Sequence, residues 1–271
     1  MIDQPLITLN DGRQMPQLGY GVFQVPPEDT RRLVVDAIEL GYQAIDTATF
    51  YRNEAEVGQA IRDSGGRPFV TTKLWNDCQG YDQALRAFDA SYKALGLDAI
   101  DLYLIHWPKP ALNLYVETWK ALIRLRDEGR VRTIGVSNFT MTYLERIIHD
   151  TGVVPAVNQI ELHPYFQQIE LRAYHDESNI VTTSWSPLGR GGVLADPVIA
   201  SIARKHGRTP AQAIIRWHIE SGLTVIPKSS NRQRQAENLD VFDFSLDQED
   251  MRAIARLDRA DGRIGPDPDL L

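Results

Sequence analysis

The sequence predicts a single-domain (β/α)8 barrel of the α/β class, with an N-terminal β-hairpin and an extra C-terminal helix. Eight short, almost uninterrupted apolar segments alternate with helical patterns along the 271 residues. Segments of that kind are typical of parallel strands covered on both faces by helices. The alternative, a doubly wound sheet, would usually carry a G-x-G-x-x-G motif after its first strand, and none is present. Residues 1–271 are therefore predicted to form one barrel domain.

The elements follow in a regular order along the chain. Residues 1–16 predict a hairpin with its turn at Asp11 and Gly12, because Asp-Gly is a preferred two-residue hairpin turn. The eight barrel strands are predicted near residues 18–21, 43–46, 69–73, 100–105, 132–136, 156–160, 180–184 and 223–226.

Helices are predicted between these strands, where apolar residues recur three and four positions apart. The segments DPVIASIARKHG and TPAQAIIRWHIESG each begin with a capping residue followed by proline and end at glycine. These are the usual signals for the two ends of a helix. Ser245, three residues before Gln248, predicts a capping box at the start of the last helix.

Composition and charge argue against several classes of protein. The formal net charge is −7 and no long basic cluster is present, which argues against a nucleic-acid partner. Cys78 is the only cysteine, so we expect no intrachain disulfide and a reducing compartment. The N-terminus lacks the features of a signal peptide, and no apolar run is long enough to span a membrane. We therefore expect a cytoplasmic protein, without membrane contact and without a metal site, that acts on a small molecule.

Polar side chains stand at the predicted carboxyl ends of the strands. Asp46 ends the second strand, with Tyr51 five residues later, Lys73 ends the third and His106 ends the fourth. The later strands bring further polar or aromatic residues to the same mouth: Ser137, Asn138, Gln159, Trp185 and Lys228. Each residue alone has an ordinary explanation in packing or loop capping. Their convergence on one mouth, where barrel enzymes carry out their chemistry, indicates an active site.

Lys73 lies between apolar residues, where an unpaired ammonium would be unfavourable. Because Asp46 and Lys73 end neighbouring strands, we expect the carboxylate to pair with the lysine and keep it charged. A charged Lys73 beside Tyr51 is expected to lower the pKa of the phenol below its usual value. The sequence therefore predicts that Tyr51 donates a proton near neutral pH.

Seven ordered motifs resemble the aldo-keto reductase superfamily: GYQAIDTATFYRNE, TTKLW, LIHWP, GVSNF, NQIELHP, SWSPLG and IPKSSNRQRQAEN. The resemblance spans nearly the whole chain, and within the superfamily it is strongest to the bacterial 2,5-diketo-D-gluconic acid reductases. It implies reduction of aldehydes or ketones to alcohols by hydride transfer from NADPH, which becomes NADP+. It also implies a monomer.

The resemblance implies a catalytic tetrad of Asp46, Tyr51, Lys73 and His106. Tyr51 would be the general acid, and His106 would orient and polarise the carbonyl group. NADPH would lie extended across the barrel mouth, with Trp185 stacked on the nicotinamide and the 2′-phosphate held after the last strand. The implied cofactor contacts are Gly21, Val22, Asp46, Ser137, Asn138, Gln159, Trp185, Ser186, Leu188, Gly189, Lys228, Ser229, Ser230, Arg234, Glu237 and Asn238.

The substrate pocket is predicted to have a wall formed by Phe23, Phe50, Trp75, His106 and Trp107. The C-terminal tail, residues 259–271, is expected near this pocket, because the corresponding segment shapes specificity in the family. Shortened loops predict a shallow pocket with little apolar wall for a large ring system. Arg190 either contacts an anionic group or is simply exposed. We therefore expect small polar dicarbonyls, such as 2,5-diketo-D-gluconate or methylglyoxal-like aldehydes, to be preferred over bulky steroids.

Two other functions are kept open at this point. Lys73 could form a Schiff base in a barrel aldolase, although a lysine that is paired and charged is a poor nucleophile. The chain could also be a non-enzymatic, regulatory NADPH-binding module. Trapping with borohydride tests the first alternative, and measured turnover tests the second.

Overall fold

The computed structural model describes residues 4–271, so the first three residues of the predicted hairpin lie outside the described residues. The strands are β1 (Leu6–Thr8), β2 (Gln14–Pro16), β3 (Tyr20–Gly21), β4 (Ala44–Asp46), β5 (Phe69–Leu74), β6 (Ile100–Ile105), β7 (Val131–Ser137), β8 (Val157–Glu161), β9 (Val181–Trp185) and β10 (Thr224–Val225). The helices are α1 (Pro27–Leu40), α2 (Glu54–Ser64), α3 (Tyr81–Leu95), α4 (Tyr115–Asp127), α5 (Met141–Thr151), α6 (Ile169–Glu177), α7 (Pro197–Lys205), α8 (Pro210–Glu220), α9 (Arg232–Leu239) and α10 (Gln248–Ala255).

Strands β3 to β10 form one parallel sheet in which each strand pairs with its neighbours in chain order. Leu18 forms a parallel bridge to Val225. The backbone N–H groups of Gly19 and Gly21 donate to the carbonyls of Val225 and Pro227 at 2.9 and 3.1 Å. These bonds join the first and last strands and close the barrel. The predicted (β/α)8 fold is confirmed, and no end of the eight predicted strands differs from the structure by more than two residues.

The N-terminal hairpin covers the amino-terminal end of the barrel. Strands β1 and β2 pair antiparallel, and Leu9 and Met15 pack in one cluster with Leu102 and Val157 from the barrel strands. The hairpin turn contains Gly12, whose φ of 82° lies in the left-handed region that glycine adopts without strain. With this end covered, the carboxyl end of the barrel is left for a site.

Helix capping agrees with the sequence at two positions and differs at a third. Asp196 caps α7 and Thr209 caps α8, as predicted. Thr209 also forms a capping box with Gln212, which was not predicted. The capping box predicted at Ser245 is wrong, because the N-cap of α10 is Asp247. The Asp247 carboxylate accepts hydrogen bonds from two backbone N–H groups of the first turn. A carboxylate also interacts favourably with the positive end of the helix dipole, so Asp247 is the stronger cap.

The helices of residues 4–271 surround the barrel. Their buried apolar side chains, among them Leu33, Phe88 and Trp119, form a continuous core with strand residues such as Ile45 and Tyr103. None of the helices in this part of the chain combines the length and the hydropathy that crossing a membrane requires. Residues 4–271 also contain no group of three or more His, Cys, Asp or Glu side chains arranged to hold a metal ion.

Candidate active site

Neighbouring strands place four polar side chains at the mouth of the barrel. Asp46 is the last residue of β4, Lys73 is the next-to-last residue of β5, and His106 directly follows β6. Asp46 is in register with Thr71, so Lys73 lies two residues further along β5 and faces the same side of the sheet. Tyr51 ends a single 3₁₀ turn that follows β4.

Lys73 is fully buried and bonded to three groups. Its Nζ donates to Asp46 Oδ1 at 2.5 Å, to the carbonyl of Thr47 at 2.9 Å and to Tyr51 Oη at 3.4 Å. Burial alone would lower the pKa of Lys73, but Asp46 and Tyr51 raise it above its ordinary value. The lysine is therefore charged at neutral pH, and the ion pair predicted from the sequence is confirmed.

The predicted direction of the Tyr51 pKa is wrong. Burial raises the pKa of the phenol, the charge of Lys73 lowers it, Asp46 raises it again, and the result lies above the usual value. The sequence argument considered only the lysine and omitted the removal of the phenol from water, which disfavours the phenolate. Tyr51 consequently keeps its proton across the neutral range in the substrate-free protein.

His106 lies between two aromatic rings at the same mouth. The centroid of its ring is 5.8 Å from that of Tyr51 and 5.1 Å from that of Trp75, both in edge-on contacts. Burial and the nearby charge of Lys73 hold the pKa of His106 well below its usual range. The imidazole is therefore neutral at pH 7 and has one N–H group to donate.

Gln159 connects this cluster to the next strands. It is buried on β8, and its Nε2 donates to Asp46 Oδ2 at 2.8 Å. The two oxygens of Asp46 thus accept hydrogen bonds from two different residues, Lys73 and Gln159. Because both oxygens are engaged, Asp46 acts as a fixed counter-ion and not as a free base.

Ser137 and Asn138 link the rim residues of four strands. Asn138 Nδ2 donates to the carbonyl of His106 at 2.9 Å, and Asn138 Oδ1 accepts from Trp185 Nε1 at 2.8 Å. Ser137 Oγ donates to the carbonyl of Gln159 at 2.7 Å. Asn138 has a left-handed backbone with φ of 63°, which asparagine tolerates better than most residues. These bonds hold the orientation of Trp185 relative to the Tyr51 side of the mouth.

The mouth opens into a cavity of about 710 Å³. Asp46, Tyr51 and His106 line this cavity, and Lys73 is buried behind them. The predicted pocket residues Phe23, Phe50, Trp75 and Trp107 all line the cavity, together with His106. Phe50 stacks on Trp75 with ring centroids 3.9 Å apart. Other apolar residues that complete the wall are Trp185, Pro187, Leu188, Ile226, Pro227, Pro266 and Leu271.

The expectation of a shallow pocket with little apolar wall is therefore wrong. That expectation assumed that shorter loops leave fewer apolar residues around the pocket. In the structure, Pro266 and Leu271 of the C-terminal tail help to line the cavity. Ile226 and Pro227, directly after β10, line it as well. Arg190 also lines the cavity, with φ of 52° and an exposed side chain that pairs with no acidic residue among residues 4–271.

The residues predicted to contact the cofactor fall into two groups. Those that line the cavity are Gly21, Asp46, Ser137, Asn138, Gln159, Trp185, Ser186, Leu188 and Lys228. Those outside it are Val22, Gly189, Ser229, Ser230, Arg234, Glu237 and Asn238. The side chain of Val22 is fully buried in the core. Lys228 and Arg234 are exposed, and neither forms an ion pair with any of residues 4–271. Two such cations can bind an anionic group such as a phosphate.

One buried acidic residue near the mouth was missed by the sequence analysis. Glu161 ends β8 and is 1% exposed. Gln159, two residues earlier, had been selected, and residues two apart on a strand point to the same side. That alternation is the signal by which Glu161 could have been found.

The sequence model of the aldo/keto reductase family matches residues 16–259 of this chain. The chain belongs to the aldo/keto reductase family. This match confirms the resemblance inferred from the seven motifs. The matched residues include all eight barrel strands, β3 to β10, and the helices α1 to α10.

Several known proteins resemble the chain over almost its whole length. Methylglyoxal reductase DkgA of Escherichia coli (strain K12) is 49% identical, covering 99% of this chain and 98% of that protein. Morphine 6-dehydrogenase of Pseudomonas putida is 50% identical, covering 97% and 94%. The crystal structure of a mutant of Gox0644 in complex with NADPH matches with a TM-score of 0.97 at 56% identity, covering 99% of this chain and 98% of that one.

Proposed function

We propose that this chain reduces aldehydes or ketones to alcohols with NADPH. The observation that carries the proposal is the buried Lys73–Asp46 pair within hydrogen-bond distance of Tyr51, at a cavity with aromatic walls. Membership of the aldo/keto reductase family makes the chain an oxidoreductase. The relatives support the cofactor and the reaction, since one is named a methylglyoxal reductase and one structure is a complex with NADPH.

NADPH supplies the hydride when it is bound. We assign Ser137, Asn138 and Gln159 to the carboxamide and Trp185 to the nicotinamide ring. Lys228 and Arg234 are assigned to the 2′-phosphate, because both are exposed cations without an acidic partner among residues 4–271. The other proposed contacts are Gly21, Val22, Asp46, Ser186, Leu188, Gly189, Ser229, Ser230, Glu237 and Asn238.

Tyr51 is the proposed general acid. Its raised pKa keeps the proton on Oη until a carbonyl oxygen is present. The charge of Lys73, which Tyr51 Oη meets at 3.4 Å, stabilises the phenolate left after proton transfer. Asp46 keeps that charge in place, and the neutral imidazole of His106 donates a hydrogen bond that orients and polarises the carbonyl. Such a positioned acid contributes roughly 100- to 10,000-fold to a rate.

Small polar dicarbonyls are the proposed substrates, in line with the similarity to methylglyoxal reductase DkgA. Arg190 supports anionic members of this class, such as 2,5-diketo-D-gluconate, because it lines the cavity without an acidic partner among residues 4–271. A second candidate class is bulky polycyclic ketones. The apolar, aromatic-walled cavity of about 710 Å³ favours it, as does the similarity to morphine 6-dehydrogenase.

The test follows NADPH absorbance with three carbonyl compounds: 2,5-diketo-D-gluconate, methylglyoxal and a ketosteroid. We expect higher kcat/KM for the two dicarbonyls. A ketosteroid that reacts fastest would favour the second class and leave the reductase assignment intact. No NADPH oxidation with any carbonyl compound of the panel would refute the proposed function and favour the regulatory binding module.

The aldolase alternative is disfavoured by the charge state of Lys73. Asp46 and Tyr51 raise the pKa of this buried lysine, whereas Schiff-base formation needs a neutral amine. Borohydride treatment in the presence of methylglyoxal should leave the mass of Lys73 unchanged, and a stable adduct on it would support the aldolase. We also propose that the chain works as a monomer with one barrel domain, for which light scattering should give about 30.6 kDa.

A further inference from the structure

The tail that follows α10 is held at the barrel mouth by a buried carboxylate. Glu161 Oε1 accepts a hydrogen bond from the backbone N–H of Ile264 at 2.6 Å. Glu161 Oε2 accepts one from the backbone N–H of Gly265 at 2.7 Å. Both oxygens of one carboxylate therefore hold two consecutive peptide groups of a segment 103 residues further along the chain.

The carboxylate of Glu161 is ionised at neutral pH. Burial alone would raise its pKa, but hydrogen bonds from His163, Ile264 and Gly265 bring the pKa below its ordinary value. His163 contributes through Nε2, 3.1 Å from Glu161 Oε1. Hydrogen bonds to a charged acceptor are stronger than those between neutral groups, so this contact fixes the tail more firmly than a neutral side chain would.

The held segment lies directly against Trp185. A β-carbon added at Gly265 would collide with the Trp185 ring and come within 2.7 Å of Glu161 Oε2. Only glycine lets the tail backbone approach the ring and the carboxylate this closely. Pro266, the next residue, and Leu271 then line the cavity.

The tail has further contacts on either side of this segment. The backbone N–H of Arg259 donates to the Tyr165 carbonyl at 3.1 Å, and Gly262 is buried against that carbonyl. Arg263 lies over the ring of Phe166 at 4.7 Å.

Arg259 lies over the ring of Tyr165 at 3.7 Å, with its side chain exposed. Tyr143 Oη donates to the exposed Asp269 at 2.6 Å. Exposed contacts of this kind contribute little because water and salt compete with them. The two bonds to the buried Glu161 carboxylate hold the residues directly before Pro266, which is the part of the tail next to the cavity.

We propose that Glu161 is a positioning residue that sets substrate selectivity. Its carboxylate holds the tail at Ile264 and Gly265, and Pro266 and Leu271 of the held tail complete the cavity wall. The proposal rests on the proposed function. A small carbonyl compound should bind more tightly when the wall is complete, whereas a bulky one should bind more tightly when the tail part of the wall is removed. Since Glu161 does not touch the reacting atoms, its loss should act mainly on KM and leave kcat nearly unchanged.

The first test is independent of activity and compares Glu161→Gln with the wild-type protein by hydrogen exchange. The two amides donate to two different oxygens of Glu161. Glutamine replaces one of these oxygens with an NH2 group, which cannot accept from an amide N–H, and it removes the negative charge. We expect the amides of Ile264 and Gly265 to exchange at least about 10-fold faster, as the loss of charge-assisted bonds implies. Glu177→Gln makes the same chemical change at an exposed position at the end of α6 and should leave this exchange unchanged.

The second test measures selectivity in the same variants. In Glu161→Gln, KM for methylglyoxal should rise about 10-fold, kcat should change less than about 3-fold, and the ratio of ketosteroid to methylglyoxal kcat/KM should rise. Gly265→Ala displaces the tail while keeping the carboxylate, and should shift the ratio in the same direction if Glu161→Gln does not fold. Unchanged amide exchange, or faster exchange with unchanged selectivity in an active enzyme, would overturn the proposal. A wild-type protein that reduces no carbonyl compound would instead refute the proposed function, and the selectivity role with it.

Discussion

Lys73 Nζ lies 2.5 Å from Asp46 Oδ1, and both side chains are almost completely removed from water. A buried ion pair of this kind adds little net stability, but removal of one partner leaves an uncompensated charge and costs about 3–5 kcal/mol. The pair is therefore better understood through the third residue that it meets, Tyr51, whose hydroxyl lies 3.4 Å from the same ammonium. The Lys73 ammonium, held in place by Asp46, supplies a fixed positive charge next to the oxygen on which a Tyr51 phenolate would form.

Tyr51→Phe should lower kcat for carbonyl reduction roughly 100-fold or more, the scale expected for a general acid. NADPH affinity should hardly change, because the hydroxyl acts on the substrate. NADPH absorbance measures the first quantity and fluorescence titration the second. Tyr92→Phe, at an exposed tyrosine on α3, is the matched control and should keep full activity. Near-normal turnover in Tyr51→Phe would remove this tyrosine from the mechanism.

Arg234→Ala should weaken NADPH binding and leave NADH binding almost unchanged, because the guanidinium is assigned to the 2′-phosphate that NADH lacks. One charge-assisted hydrogen bond contributes about 1.5–3 kcal/mol, which corresponds to roughly a 10- to 100-fold change in Kd. Titration of each cofactor by protein fluorescence provides the measurement. Arg86→Ala removes another exposed arginine, on α3, and serves as the control. Equal weakening for NADH and NADPH would contradict the assignment.

Arg190→Gln should raise KM for 2,5-diketo-D-gluconate by roughly 10-fold and leave KM for methylglyoxal nearly unchanged. Only the first substrate carries a carboxylate, and loss of a charge-assisted hydrogen bond in a partly exposed site accounts for a change of this size. Steady-state kinetics with both substrates at saturating NADPH measure the effect. If NADPH binding weakens and both KM values stay the same, Arg190 contacts the cofactor and not the substrate.

The free energy of unfolding should fall as the pH drops below about 6.5. Burial lowers the pKa of His218 to about 3 and that of His175 to about 4. In the unfolded chain the same side chains take up protons near pH 6.5. Between these values the unfolded state binds more protons than the folded state, so lower pH favours unfolding, by at most about 1.4 kcal/mol per pH unit for each histidine.

Urea unfolding of His218→Gln at several pH values between about 7 and 4 checks this expectation. The variant lacks the titrating group, so its stability should depend less steeply on pH than that of the wild-type protein. His149→Gln, at an exposed histidine on α5, controls for the substitution itself. Identical pH slopes for the His218 variant and the wild-type protein would show that His218 does not contribute.

Much of the fold and of the Lys73 pair could be predicted because the signals are local. Short apolar runs and helical periodicity located all eight barrel strands, and β4 and β5 are neighbours in both the chain and the sheet. For neighbouring parallel strands, residues near the carboxyl ends must come close together. Asp46 and Lys73 were therefore paired correctly without any coordinates.

The direction of the Tyr51 pKa shift, the lining of the cavity and the contact of Glu161 with the tail were decided only by the tertiary structure. The pKa depends on how completely the surrounding elements exclude water from the phenol, and a list of neighbouring charges does not contain that quantity. The cavity wall includes Pro266 and Leu271, which the chain brings back to the mouth after the last helix. Glu161 meets Ile264 across 103 residues, and no periodicity or spacing in the sequence specifies a contact over that distance.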